Sequence, residues 1–86
     1  MPIISKFYGI KILMFYDDHN PPHFHVKYGE YHARIIINNL EIIEGELSNR
    51  ALKMVMEWAK LHKGEIAQDW NLAKEHKNLN YIDPLN

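Results

Sequence analysis

The stretch His23-Phe24-His25-Val26-Lys27-Tyr28-Gly29-Glu30-Tyr31-His32-Ala33-Arg34-Ile35-Ile36-Ile37 reads as two strands about a two-residue turn. Apolar residues alternate with polar ones, the period of a strand buried on one face. Gly29-Glu30, with glycine first, suits a type II′ hairpin turn, whose first central residue has positive φ. Counting outward from that turn sets the register. Tyr28 faces Tyr31, Lys27 faces His32, Val26 faces Ala33, His25 faces Arg34 and Phe24 faces Ile35. One side then carries Phe24, Val26, Tyr28, Tyr31, Ala33, Ile35 and Ile37, an apolar face for a core. The other carries His23, His25, Lys27, His32 and Arg34. A slip of one residue exchanges the two faces, so the turn decides the assignment.

Just upstream, Tyr16-Asp17-Asp18-His19-Asn20-Pro21-Pro22-His23-Phe24-His25-Val26 gathers two carboxylates, three histidines and two prolines. Aspartates, an asparagine and a double proline continue neither a helix nor a central strand. A fixed turn therefore feeds a strand whose polar face begins with two histidines. Both X-Pro bonds are expected to be trans, since only about 5–6% are cis in folded proteins. Further upstream, Ile10 to Tyr16 is apolar on both faces and reads as a central strand. Ile3-Ile4 and Phe7-Tyr8 read as a short edge strand before Gly9. Beyond the hairpin, Asn38-Asn39 marks a turn into a strand from Leu40 to Glu44, which Gly45 ends.

The remainder is helical. Ser48 is an N-cap, with Leu47 before it as a hydrophobic staple. Ala51, Leu52, Val55, Met56, Trp58, Ala59 and His62 recur at helical spacing, giving a helix over residues 48–63. A second helix over 65–76 carries Ile66, Ala67, Trp70 and Ala73, with Gly64 as a break or a bend. Trp58 and Trp70 belong to the core. The tail, 77–86, reads as a surface strap or a frayed end. The whole is one α+β domain over residues 1–86. An antiparallel β-meander of three to four strands over 3–45 packs on two C-terminal helices as a two-layer sandwich.

Composition bounds the function. Of 86 residues, 47% are hydrophobic and 12% aromatic, enough for a globular fold though near the lower size limit for an unaided core. The absence of cysteine excludes a disulfide framework and a thiolate metal site. No apolar run approaches the roughly 20 residues that span a bilayer, and no signal-peptide core follows the start. A cytoplasmic protein without membrane contact is expected. A net charge of −1 lacks the bulk positive charge of a nucleic-acid binder, yet the charges are ordered along the chain. Lys6, Lys11, His19, His23, His25, Lys27, His32 and Arg34 precede the acidic Glu41, Glu44 and Glu46.

Two chemistries fit the histidine face. The first is phosphodiester chemistry without a cofactor. A metal-independent endoribonuclease needs one group to take the ribose 2′-hydroxyl proton and another to protonate the leaving oxygen. Histidine serves both, because its unperturbed pKa is near 6.5. His23 and His25 are the candidate catalytic residues, and Lys27, His32 and Arg34 the candidate phosphate and RNA ligands, with Tyr28 and Tyr31 flanking for stacking. The second chemistry is a divalent metal held by Asp18, His19, His23 and His25, since an HxH on a strand places two imidazoles on one face. The plain alternative is a polar sheet face that discourages edge pairing, with aspartates that only cap a turn.

Run together, Met1-Pro2-Ile3-Ile4-Ser5-Lys6-Phe7-Tyr8-Gly9-Ile10, Asp18-His19-Asn20-Pro21-Pro22-His23-Phe24-His25-Val26, Glu44-Gly45-Glu46-Leu47 and Trp58-Ala59 resemble a small bacterial family, domain-of-unknown-function family 4160. The resemblance implies a small cytoplasmic protein, often encoded beside another short protein in a layout similar to toxin–antitoxin pairs. The neighbour looks like the DNA-binding member, which implies a toxin-like role for this chain. Three expectations follow: an RNA-directed toxin-like component, a noncatalytic module that binds the neighbour-encoded antitoxin-like protein, or a divalent-metal-binding protein. A homo-oligomer is a further partner state to consider.

Overall fold

A computed structural model describes residues 2–86. The chain runs β1 (Ile3–Phe7), β2 (Ile10–Leu13), β3 (His23–Tyr28), β4 (Tyr31–Ile36), β5 (Ile42–Glu46), α1 (Asn49–Leu61) and α2 (Lys63–Lys74). The strands form one antiparallel sheet in sequence order, so the fold is an α+β meander with two C-terminal helices. Five strands are present where three to four were expected, because both edge segments, β1 and β5, pair with their neighbours.

The hairpin has the register counted from its turn, from Tyr28 opposite Tyr31 to Phe24 opposite Ile35. Gly29 has φ of +59°, the left-handed value the first position of a type II′ turn requires. Tyr8-Gly9 closes the β1–β2 hairpin with φ of +48° and +81°, both positive as in a type I′ turn. That turn places Lys6 opposite Lys11.

Several expected boundaries move. β2 ends at Leu13 rather than Tyr16: one last hydrogen bond runs from the Met14 N–H to the Pro2 carbonyl at 3.2 Å, and the chain turns at Tyr16-Asp17. Gly45 lies inside β5 and does not end it. Its φ is +78°, and a Cβ there would collide with the His32 carbonyl, so only glycine lets β5 approach β4 so closely. α1 starts as expected, with the Ala51 N–H donating to Ser48 Oγ at 3.2 Å. The helices part at His62 (φ −121°, ψ 22°), and Gly64 sits within α2. The Asn20–Pro21 bond is cis and not trans. The trans preference before proline is only about 0.5–1 kcal/mol, small enough for tertiary context to override.

Trp58 is the centre of the core, fully buried against Phe7 (5.6 Å) and edge-on to Phe24 (6.1 Å). Its indole N–H donates to the Asp83 carbonyl at 2.8 Å. The tail is a strap and not a frayed end. The Ile82 N–H donates to the Ile4 carbonyl at 2.7 Å, and the Ile82 side chain is buried in the core. The Asn80 N–H donates to Oδ1 of the buried Asp69 at 2.9 Å. Tyr31, assigned to the core face by alternation, is 41% exposed at the hairpin tip, beside the turn at Gly29-Glu30.

Candidate functional site

Phe24 packs on Trp58 of α1, and alternation along β3 puts His23 and His25 on the opposite face of the sheet. That face is not simply solvated. The chain between β2 and β3 folds back over it, and Phe15 stands edge-on to the His25 ring at 4.4 Å. His23 packs against Trp70 of α2 at 5.5 Å. As a result His23 and His25 are each only 4% exposed, where an exposed polar face had been expected.

Asp18, carried by the same loop, points its carboxylate between the two rings. Oδ2 lies 2.8 Å from His25 Nε2 and 3.2 Å from His23 Nε2. The loop is pinned from the far side by Lys74, whose ammonium donates to the Asp18 carbonyl and lies 4.9 Å over the Trp70 ring. Tyr16 adds a stack on His76, 6.1 Å between ring centres.

Each imidazole is also held from behind. The Pro21 carbonyl accepts a hydrogen bond from His23 Nδ1 at 2.8 Å. A carbonyl can only accept, so Nδ1 of His23 carries a proton and Nε2 of the neutral ring is a bare lone pair. That buried nitrogen has no hydrogen-bond partner of proper geometry, although Asp18 is near. His25 Nδ1 lies 3.3 Å from His32 Nε2, and the two rings stack at 5.5 Å. Burial holds the His25 imidazole below its ordinary pKa, with the Asp18 carboxylate partly opposing the shift. Oδ2 of Asp18 and Nε2 of His23 and His25 are thus brought to one point, and among the described residues these three form the group able to share a metal ion. His19 is not brought to that point; it is exposed in the loop.

A second feature lies beside this cluster. Across four strands, Lys6 faces Lys11, Lys11 faces Lys27, and Lys27 faces His32, so the four side chains form one row on the outer face. All four are exposed. Lys6, Lys11 and Lys27 make no ion pair among the described residues. A shallow cavity of about 280 Å³ opens between Lys11 and Lys27, floored by Gly9 and Gly29. The row ends on Glu46. Arg34 leaves the row and faces Glu44, with Nε 3.6 Å from its carboxylate, a half-exposed pair of little energetic weight.

Of the expected phosphate ligands, Lys27 and His32 therefore stand together and Arg34 stands apart. Lys6 and Lys11 were missed. Counting outward from Tyr8-Gly9 as a two-residue turn would have paired them. No such count reaches from β2 to β3, because the intervening loop is long.

No curated protein and no solved structure matches the chain. The family model described as Domain of unknown function (DUF4160) matches residues 9–71, which include the histidine loop, the hairpin and most of both helices, and the chain belongs to that family.

Proposed function

We propose that the chain is an RNA-directed, toxin-like component of a bacterial two-protein pair, acting in the cytoplasm, and that it holds RNA phosphates along the row Lys6, Lys11, Lys27 and His32. The observation that carries this reading is the Lys11–Lys27 pair. Like charges directly opposite one another on adjacent strands destabilise a sheet. A stable fold gains nothing from three such lysines in line, whereas a bound polyanion turns the same repulsion into attraction. The glycine-floored cavity between them leaves space for a phosphate group.

Within this reading the acid–base role moves from His23 and His25 to the row: His32 takes the 2′-hydroxyl proton, and the Lys27 ammonium opposite it donates a proton to the leaving oxygen. The first two are buried beside Asp18, beneath the loop, whereas His32 is exposed in the row with His25 stacked behind it. Single-stranded RNA binding, followed by fluorescence anisotropy over a salt series, tests the proposal. Replacing Lys11 and Lys27 with glutamine is expected to lower the salt slope by about 0.7 for each lysine lost. His32→Ala is expected to stop RNA cleavage and growth arrest while leaving most of the binding. An unchanged slope in the double variant, or no binding at low salt, overturns the reading.

One observation favours the second reading, a noncatalytic module that binds a neighbour-encoded antitoxin-like protein. β5 is a free sheet edge with Ile43 44% exposed between exposed glutamates. Such an edge accepts a strand from a partner or a second copy. Co-expression tests it: Ile43→Lys is expected to abolish a fixed-ratio complex with the neighbour-encoded protein.

A further inference from the structure

We infer that Asp18 Oδ2, His23 Nε2 and His25 Nε2 bind one divalent transition-metal ion of the zinc type, with His32 as an outer support. The inference does not rest on the RNA reading: its three ligands lie outside the basic row, and His32 alone is common to both.

The first ground is a lone pair with nowhere to go. His23 Nδ1 donates to the Pro21 carbonyl, so the neutral ring presents Nε2 as an acceptor, buried and 3.2 Å from a carboxylate oxygen that is also an acceptor. Two acceptors facing each other in a buried site repel, and an unsatisfied buried nitrogen is costly. A cation between them removes both costs.

The second ground is spacing. Zinc–nitrogen and zinc–carboxylate bonds run about 2.0–2.2 Å, so tetrahedral ligands stand roughly 3.3–3.5 Å apart and more crowded ones less. The separations of Asp18 Oδ2 from the two nitrogens, 2.8 Å and 3.2 Å, are those of ligands that a small inward ion would spread slightly. The three ligand atoms all lie within 4.8 Å of one another.

The third ground is the outer layer. A metal-bound histidine normally donates its other ring N–H to a fixed acceptor, which sets the tautomer and the ring angle. His23 has the Pro21 carbonyl in that place. His25 Nδ1 lies 3.3 Å from His32 Nε2, which can accept that N–H once a metal replaces the proton that His25 Nε2 shares with Asp18. Both rings therefore aim Nε2 inward and anchor Nδ1 outward. Two imidazoles and a carboxylate, with no thiolate in the sequence, select borderline ions such as Zn²⁺, Fe²⁺ or Co²⁺ over Ca²⁺ or Mg²⁺. Three protein ligands leave a coordination position for water or another ligand.

The competing occupant of the same gap is a proton, making His23 an imidazolium paired with Asp18. Protein produced without a histidine tag and stripped with chelator is titrated with Zn²⁺, and separately with Co²⁺ followed by visible absorption. The expected result is about one equivalent of zinc retained after desalting, with a cobalt spectrum of four- or five-coordinate form. His19→Ala should retain that stoichiometry, whereas Asp18→Asn and His23→Gln should lose it. His32→Gln should weaken affinity by about 10–100-fold without losing the site. Circular dichroism confirms that each variant is folded, and the wild-type stoichiometry decides even if one is not. Retention below about a tenth of an equivalent by the wild type overturns the inference. So does a His23 Nε2–H resonance that persists at saturating zinc. RNA binding by Lys11 and Lys27 variants is read separately, so either proposal can fail alone.

Discussion

Oδ2 of Asp18 stands 2.8 Å from Nε2 of His25, seven residues along the chain and on the other side of the double-proline turn. The contact closes the loop onto the sheet and buries both histidines of the HxH pair. It also gives the aspartate a role distinct from that of its neighbour. Asp17 is 91% exposed, with only a 3.8 Å approach to His76, whereas the Asp18 side chain is 22% exposed.

Asp18→Ala is expected to destabilise the metal-free protein by about 1–3 kcal/mol, because it leaves the buried Nε2 of His25 without its carboxylate partner. Asp17→Ala is expected to stay within about 0.5 kcal/mol of the wild type, as exposed substitutions do. Equilibrium urea unfolding in the presence of chelator compares the two.

Lys27→Glu is expected to raise stability while weakening RNA binding. Lys27 lies between Lys11 and His32 in the cross-strand row, so reversing its charge converts repulsion to attraction, worth about 0.2–1 kcal/mol. Thermal unfolding and anisotropy on the same preparation should move in opposite senses. A fall in both would show that Lys27 serves the fold.

Gly45→Ala and Gly64→Ala are expected to differ in sign. At Gly45 the positive φ and the His32 carbonyl oppose any side chain, so the substitution should cost more than about 1 kcal/mol. At Gly64, inside α2, an added Cβ meets nothing within 4 Å, so alanine should stabilise by roughly 0.5–1 kcal/mol. Urea midpoints at constant m-value report both.

Asp69 makes stability depend on pH. Burial, with a smaller contribution from nearby Glu65, raises its carboxyl above the usual 3.8, against the hydrogen bond from Asn80. In the window between 3.8 and the raised value, the folded chain holds a proton that the unfolded chain has released. Stability from this group is therefore fully present below 3.8 and is lost as pH rises through the folded value. Asp69→Asn keeps an oxygen for the Asn80 N–H and removes that loss. The variant's stability relative to wild type should increase from pH 4 toward pH 7, as measured by urea unfolding across the range.

Much of this was open to reading along the chain. The Gly29-Glu30 turn and the period-2 alternation from His23 to Ile37 determine a hairpin register, because the side-chain period of a strand is two and a glycine-first turn admits one pairing. Ser48 and the spacing of Ala51, Val55, Trp58 and Ala59 determine where a helix begins and which side it buries. Asp18, His23 and His25 were legible as candidates because a turn rich in aspartate and proline runs into an HxH strand.

Tertiary structure decided the rest. Alternation tells which face His23 and His25 occupy, but not what covers that face. Phe15 and Asp18 fold over it only because the loop between β2 and β3 doubles back and α2 pins it through Lys74 and Trp70. His19 and Asp18 are adjacent in sequence, yet only Asp18 joins the cluster, since loop geometry and not spacing selects it. The Lys11–Lys27 pair likewise depends on how β2 sets against β3 across an aperiodic connection, where no turn counts the register. Local rules act through hydrogen bonds and sterics a few residues long, whereas the loop's cover, the Asp18 contact and the Lys11–Lys27 pair are set by packing between segments far apart in the chain.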